Sequence, residues 1–172
     1  MAQDGIVKQA KKIIRVAPTL STDAYAQHDV LFTATEIPHA VSGKGGCSKL
    51  VAMYVLDKTN TDSDIHFVFS EGSTVLGTIN ATANISDSDL TALGINGACY
   101  MDGSQATIGA GLDNARIYQV MPLSGSAEDS NSMLLLQAAS DSTSVYVQAL
   151  LSSSTTPTYA ADSLQLIFHL EV

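Results

Sequence analysis

The sequence predicts an all-β fold, a single β-sandwich or jelly-roll-like domain with one short helix and an extended N-terminal arm. Three observations lead there. Apolar, β-branched and aromatic runs of strand length recur about eight or nine times, each bounded by Gly, Asp, Asn or Ser turn formers. Several alternate with the two-residue period of a strand: Val145, Val147, Ala149 and Leu151 against Tyr146, Gln148 and Leu150, and Leu164, Leu166, Phe168 and Leu170 against Gln165, Ile167 and His169. Hydrophobic residues make up 45% of the chain and charged residues only 15%, with Ser, Thr, Ala and Val abundant, which suits a β domain with a hydroxyl-rich surface. At 172 residues the chain fits one domain able to bury roughly 70% of its unfolded surface without disulfides or metal.

Met1 to Ala10 has no clear period. In Lys11 to Val16, the apolar Ile13, Ile14 and Val16 sit among basic residues, which suits an extended strand or adhesive arm better than a short lone helix. Pro18 favours extended geometry at Ala17. The chain therefore divides into an arm over 1–17 and a sandwich over 18–172. Fully extended, the arm spans roughly 50 Å and reaches a neighbouring subunit; the alternatives are a disordered arm or an edge strand of its own domain.

Leu20 to Asp29 is a polar segment rich in turn formers, and Val30 to Thr35 is a strand ending near Pro38. The run Ser42-Gly43-Lys44-Gly45-Gly46 lacks the Gly-Lys-Ser/Thr ending of a phosphate loop and leads into a strand pattern instead of a helix, so it is a flexible connection. Leu50 to Leu56 and Ile65 to Phe69 flank the polar Asp57 to Asp64, predicting a hairpin of two buried strands with Ile65, Phe67 and Phe69 on one face. Val75 to Ile79 forms a short strand or an extended loop. Ser86 to Gly94 carries the helix signal: Ser86 as N-cap, Asp87 and Asp89 at the positive end of the dipole, and Gly94 as the stop. Ile95 to Met101 and Ser104 to Gly109 predict a hairpin across Asp102-Gly103. Ala115 to Leu123 is a strand broken by Pro122, followed by a polar loop over Gly125 to Asn131. Met133 to Ala138 and Ser144 to Leu151 predict another hairpin, and a terminal strand follows the loop Ser152 to Ala161.

Chemistry-bearing patterns are sparse, and no catalytic residue, cofactor site or metal site is expected. His28, His39, His66 and His169 stand singly, without ligand spacing. No serine occupies a Gly-x-Ser-x-Gly elbow. Asp87-Ser88-Asp89 begins like a calcium loop but lacks the glycine at the sixth position and the glutamate at the twelfth. Cys47 and Cys99 are expected as separate thiols, since no secretory segment is evident; for the same reason the sequons at Asn80 and Asn84 are loop polarity. Residues 1–15 hold Lys8, Lys11, Lys12 and Arg15 against Asp4, a balance of +3, so the other 157 residues carry −12 of the net −9. An acidic body argues against nucleic-acid binding, and no apolar run approaches the ~20 residues of a membrane helix. The product is expected to be soluble and made in the cytoplasm.

From Pro18-Thr19-Leu20-Ser21-Thr22-Asp23-Ala24-Tyr25-Ala26 onward, through Asp29-Val30, the Gly45-Gly46 loop, Ile65-His66-Phe67-Val68-Phe69, Ser86-Asp87-Ser88-Asp89-Leu90 and Thr156-Pro157-Thr158-Tyr159-Ala160, the chain resembles small structural proteins of tailed bacteriophages encoded beside the capsid genes. It departs in Gln27-His28, where a glycine precedes the aspartate in that pattern, and in its basic arm. The resemblance implies a decoration or cement protein on the outside of the virion head, often trimeric, bridging neighbouring major capsid subunits. With the charge split, it assigns capsid or subunit contact to Lys8, Lys11, Lys12, Ile13, Ile14 and Arg15. The alternative is a head-fibre or tail adhesion module binding host-surface glycans, for which Tyr25, Tyr100 and Tyr159 are the aromatics at or near predicted loops.

Overall fold

The computed structural model describes residues 10–109, 111–122 and 133–172. Among these, nine strands and one helix follow in the order β1 (Lys11–Val16), β2 (Val30–Ile37), β3 (Cys47–Asp57), β4 (Ile65–Ser70), α1 (Asp87–Ala92), β5 (Ile95–Met101), β6 (Arg116–Pro122), β7 (Leu134–Gln137), β8 (Val145–Leu151) and β9 (Leu164–Glu171). All strand pairs are antiparallel. One sheet runs β1-β9-β3-β6, with β7 beside the first half of β3; the other runs β5-β4-β8-β2. The sheets join along one side, where β6 leaves β3 and its last residues, Met121 and Pro122, pair with Tyr100 and Cys99 of β5. Pro122 sits where the strand ends and a missing N–H is tolerated. The predicted loop over Gly125 to Asn131, and Leu123, lie outside the described residues.

The inward alternation predicted for β4, β8 and β9 is observed, and these faces form the core. Met53 and Val55 of β3, Leu166 and Phe168 of β9, Phe67 and Phe69 of β4, and Val147 and Ala149 of β8 are fully buried. Phe69 meets Phe168 across the sheets edge to face, centroids 6.0 Å apart, and Phe32 packs on Phe67 at 6.3 Å; such aromatic pairs add about 1 kcal/mol beyond their burial. Helix α1 forms as its caps foretell: Ser86 Oγ accepts from the Asp89 N–H, and Gly94 closes the end in the left-handed region at φ 62°.

The predicted hairpins do not form. β3 and β4 are consecutive strands in opposite sheets: β3 pairs with β6, β7 and β9, whereas β4 pairs with β5 and β8. The connection between them crosses the sandwich because Asp57, itself buried, winds it tightly. One carboxylate oxygen accepts from the N–H and hydroxyl of Thr59, the other from the N–H and hydroxyl of Thr61, all at 2.8–2.9 Å. Asn60 and Asp62 take left-handed backbone at φ 54° and 47°, which these residue types tolerate best after glycine. The buried faces of β3 and β4 therefore oppose each other across the core.

Two further connections cross in the same manner or stay open. β7 pairs with β3 while β8 lies between β4 and β2. Ser104 to Gly109 adds no strand beside β5 and meets β6 through an isolated bridge between Ile108 and Ile117 and through the Gln119 N–H, which donates to Thr107 Oγ1 at 2.9 Å. Gly103 serves close approach here: a Cβ would overlap the Asp62 carbonyl. Residues 75–79 are an extended loop with one bridge, Ile79 to Val30. Tyr25 and Tyr159 are core residues, each 1% exposed, packed edge to face with centroids 5.8 Å apart.

Replacing Asp57 by alanine strips four hydrogen bonds, two of them from backbone N–H groups that then lack a partner. We expect a loss of about 3 kcal/mol, read as a lower urea midpoint at unchanged slope.

Burial also predicts an alkaline limit. It pushes the Cys99 thiol and the Tyr159 phenol each up to about 12, and raises Tyr118, where the Asp62 carboxylate adds to burial. The unfolded chain ionises its thiols near 9 and phenols near 10, so above those values it binds fewer protons than the folded chain, and stability falls as pH rises toward 12. Urea midpoints taken from pH 7 to 11 should hold level and then decline from about pH 9, with a shallower decline in Tyr159→Phe.

Candidate functional site

Strand β1 holds five of the six sequence-assigned contact residues, and Lys8 lies outside the described residues. The structure places β1 as an edge strand of the domain's own sheet, paired with β9 from Lys11–Glu171 to Val16–Leu166. The two-residue period then divides the assigned residues. Lys12, Ile14 and Val16 stand opposite the buried Leu170, Phe168 and Leu166 and face inward, with Ile14 and Val16 packed on the core. Lys12 sends its Nζ to the His39 carbonyl at 3.0 Å. Lys11, Ile13 and Arg15 face outward and are exposed, Ile13 by 55%.

Backbone pairing alternates in the same way. The Val172 N–H donates to the Ala10 carbonyl at 2.8 Å, which makes Ala10–Val172 a hydrogen-bonded pair. In an antiparallel ladder every second residue of β1 then bonds β9, and the N–H and C=O groups of Lys11, Ile13 and Arg15 point away from the sheet. Among the described residues none of these groups has a hydrogen-bond partner. Among the described residues the result is an open, cationic sheet edge.

Beside it the outer face of the same sheet carries apolar surface that the sequence reading missed. Ile13 lies opposite His169, whose ring packs on Tyr54 with centroids 5.3 Å apart. A β-bulge between Leu50 and Ala52 inserts Val51 and leaves it 54% exposed; Leu135 of β7 is 59% exposed. A concavity of about 230 Å³ is lined by Lys11, Lys12, Ile13, Val51, His169 and Leu170. His169 and Ile167 were legible as one face of β9, but the bulge that turns Val51 outward leaves no mark in the local pattern. The ion pair Lys49–Glu171, 3.7 Å long and partly exposed, adds little.

Elsewhere the chemistry stays scattered. His66 Nε2 lies 3.1 Å from Ser152 Oγ, and its ring packs on Tyr100 at 5.0 Å. Among the described residues no carboxylate bonds the other ring nitrogen, so the pair lacks the group that orients a catalytic base. Asp64 is engaged by the Gly103 N–H, and burial followed by Asp64 raises the Tyr100 phenol. Among the described residues no three His, Cys, Asp or Glu side chains converge as a metal site, and no helix is long and apolar enough to cross a membrane. Of the three tyrosines offered for glycan binding, only Tyr100 keeps solvent access, since Tyr25 and Tyr159 are buried. Cys47 is exposed and Cys99 buried, both as free thiols.

No family model matches the chain, and neither the curated proteins nor the solved structures give a match.

The two thiols predict a two-step labelling experiment. A thiol reagent at neutral pH should modify one equivalent, Cys47, in the native protein, and the second only in denaturant, because the Cys99 thiolate is suppressed by burial. Mass mapping of the labelled peptide checks the assignment.

Proposed function

We propose that the chain is a virion structural protein of the decoration or cement type, bound to the outer surface of a bacteriophage capsid and bridging neighbouring major capsid subunits. The observation that carries this reading is the cationic edge strand β1 on an acidic all-β body. Lys11 and Arg15 flank the exposed Ile13 on a strand whose outer edge is open, while the rest of the domain bears most of the negative charge. Such a surface suits attachment to another protein: edge pairing supplies backbone hydrogen bonds, and charge supplies orientation and discrimination. The trimer belongs to the same proposal and rests on the resemblance to phage structural proteins. The adhesion reading stands second, since Tyr100 alone is left to support it.

Deleting residues 1–17 is a poor test, because it removes a strand that covers Phe168 and Leu166. Reversing Lys11 and Arg15 to glutamate changes only outward side chains and should leave folding intact. Cosedimentation with expanded phage heads should show saturating occupancy by the natural protein, declining as salt rises, and at least tenfold weaker binding by the double variant. Natural protein that leaves the heads bare would overturn the assignment to the capsid; a sedimentation mass of the free protein reads out the trimer.

A further inference from the structure

We infer that the open edge of β1 is a receptor for one extended segment of a different protein, with an acidic residue, an apolar residue and an acidic residue at alternate positions. This deepens the proposed contact by naming the chemistry of its partner, and it rests on β1 being the contact edge and not on the identity of the particle.

The register argues it. A strand added to β1 bonds to the N–H and C=O groups of Lys11, Ile13 and Arg15, and its side chains on the outer face stand opposite those three. Complementarity then asks for a carboxylate against Lys11, an apolar side chain against the half-exposed Ile13, and a carboxylate against Arg15. The pattern is the same in either direction, so parallel and antiparallel partners both satisfy it.

A second copy of this chain does not fit. Two β1 strands paired about Ile13 set Lys11 against Arg15 in both halves, and like charges directly opposite are destabilising. Nor can another strand of the chain supply the pattern, because no two of its seventeen acidic residues stand four positions apart. At the far end of the strand order, β2 carries a single charge, Glu36, which accepts from Ser144 Oγ at 2.6 Å. The edge that excludes its own copies is therefore selective for a foreign acidic strand.

The test uses the full chain and three blocked nine-residue peptides. The first has a central isoleucine with glutamates two residues to either side and threonines elsewhere. The second carries lysines in place of the glutamates. The third is the first with N-methyl groups on the amides that would face β1. Amide chemical shifts of the isotope-labelled protein report the site, and titration gives the affinity. The acidic peptide should perturb the amides of Lys11, Ile13 and Arg15, and the lysine and N-methyl peptides should bind at least tenfold more weakly. The Lys11→Glu, Arg15→Glu protein should reverse the preference between the first two peptides. Ile13→Pro should lose the acidic peptide while keeping its circular dichroism, since the N–H at position 13 points away from β9.

Equal affinity for acidic and lysine peptides, equal binding of the N-methyl peptide, or shifts confined to β2 would each overturn the inference. So would a self-associated natural protein that Ile13→Pro dissociates, which would make a second copy the occupant. Heads that bind while the acidic peptide leaves β1 unperturbed would sink this inference and leave the decoration reading standing; peptide binding with bare heads would do the reverse.

Discussion

The Asp57 carboxylate is the constraint on which the rest of the sandwich depends. The apolar runs of β3 and β4 make a core only if they lie in opposite sheets, and the connection between them has the seven residues 58–64 in which to cross. Four hydrogen bonds from Thr59 and Thr61 to one side chain replace the backbone pairing that a hairpin would have provided. Neighbouring groups build on that corner. The Tyr159 hydroxyl lies 3.0 Å from Thr61 Oγ1, the Tyr118 hydroxyl lies 3.1 Å from Asp62 Oδ1, and the Lys58 N–H reaches the Ser163 carbonyl at 2.9 Å. The corner thus ties β3, β4, β6 and the start of β9 at one end of the molecule, and a weakened Asp57 is felt by both sheets.

That corner also explains where the sequence could be read and where it could not. Strands betray themselves by a two-residue period, and the period is local: Ile65, Phe67 and Phe69 alternate with His66 and Val68 whatever lies beside them. Pairing is a property of two strands, and a polar connection rich in Asp, Thr and Asn suits a hairpin turn and a sheet crossing equally. The distinguishing feature is what Asp57 bonds, and that depends on the fold it helps to make. The Asp102-Gly103 pair misleads for a similar reason. Glycine there answers to the nearness of the Asp62 backbone, a contact 41 residues away in sequence, and not to the geometry of a tight hairpin. Helix α1, whose signals all lie within nine residues, was legible almost to its ends.

The candidate site was legible in part for the same physical reason. Basic and apolar residues in Lys11 to Val16 mark a surface strand, and alternation alone separates Lys11, Ile13 and Arg15 from Lys12, Ile14 and Val16 once one of them is known to face the core. What sequence lacks is the neighbour. The pairing with β9 turns the expected arm segment into a sheet edge, aligns Ile13 with His169, and brings the bulged Val51 to the same concavity. Tyr25 and Tyr159 show the opposite failure. Each sits in a polar, turn-rich segment that suggests exposure, yet the two segments are joined by the Tyr25 N–H to the Pro157 carbonyl, and the rings close on each other in the core.

An edge strand must either be covered or be made selective, and β1 takes the second course through charge placed at strand spacing. Attraction between a basic edge and a distant acidic surface fades beyond about 8 Å at physiological ionic strength, so the net charge of the body contributes little to which partner settles there. Side chains directly opposite in a sheet lie about 5 Å apart, inside that range, and their signs still count after salt has screened everything farther away. Lys11 and Arg15 are therefore poor at gathering partners from afar and good at judging a strand already in register. Backbone hydrogen bonds, identical for every sequence, supply the adhesion, and the alternation Lys11, Ile13, Arg15 supplies the choice. An edge that is to refuse the same edge of another copy at high local concentration, yet accept a different strand, requires that division of labour.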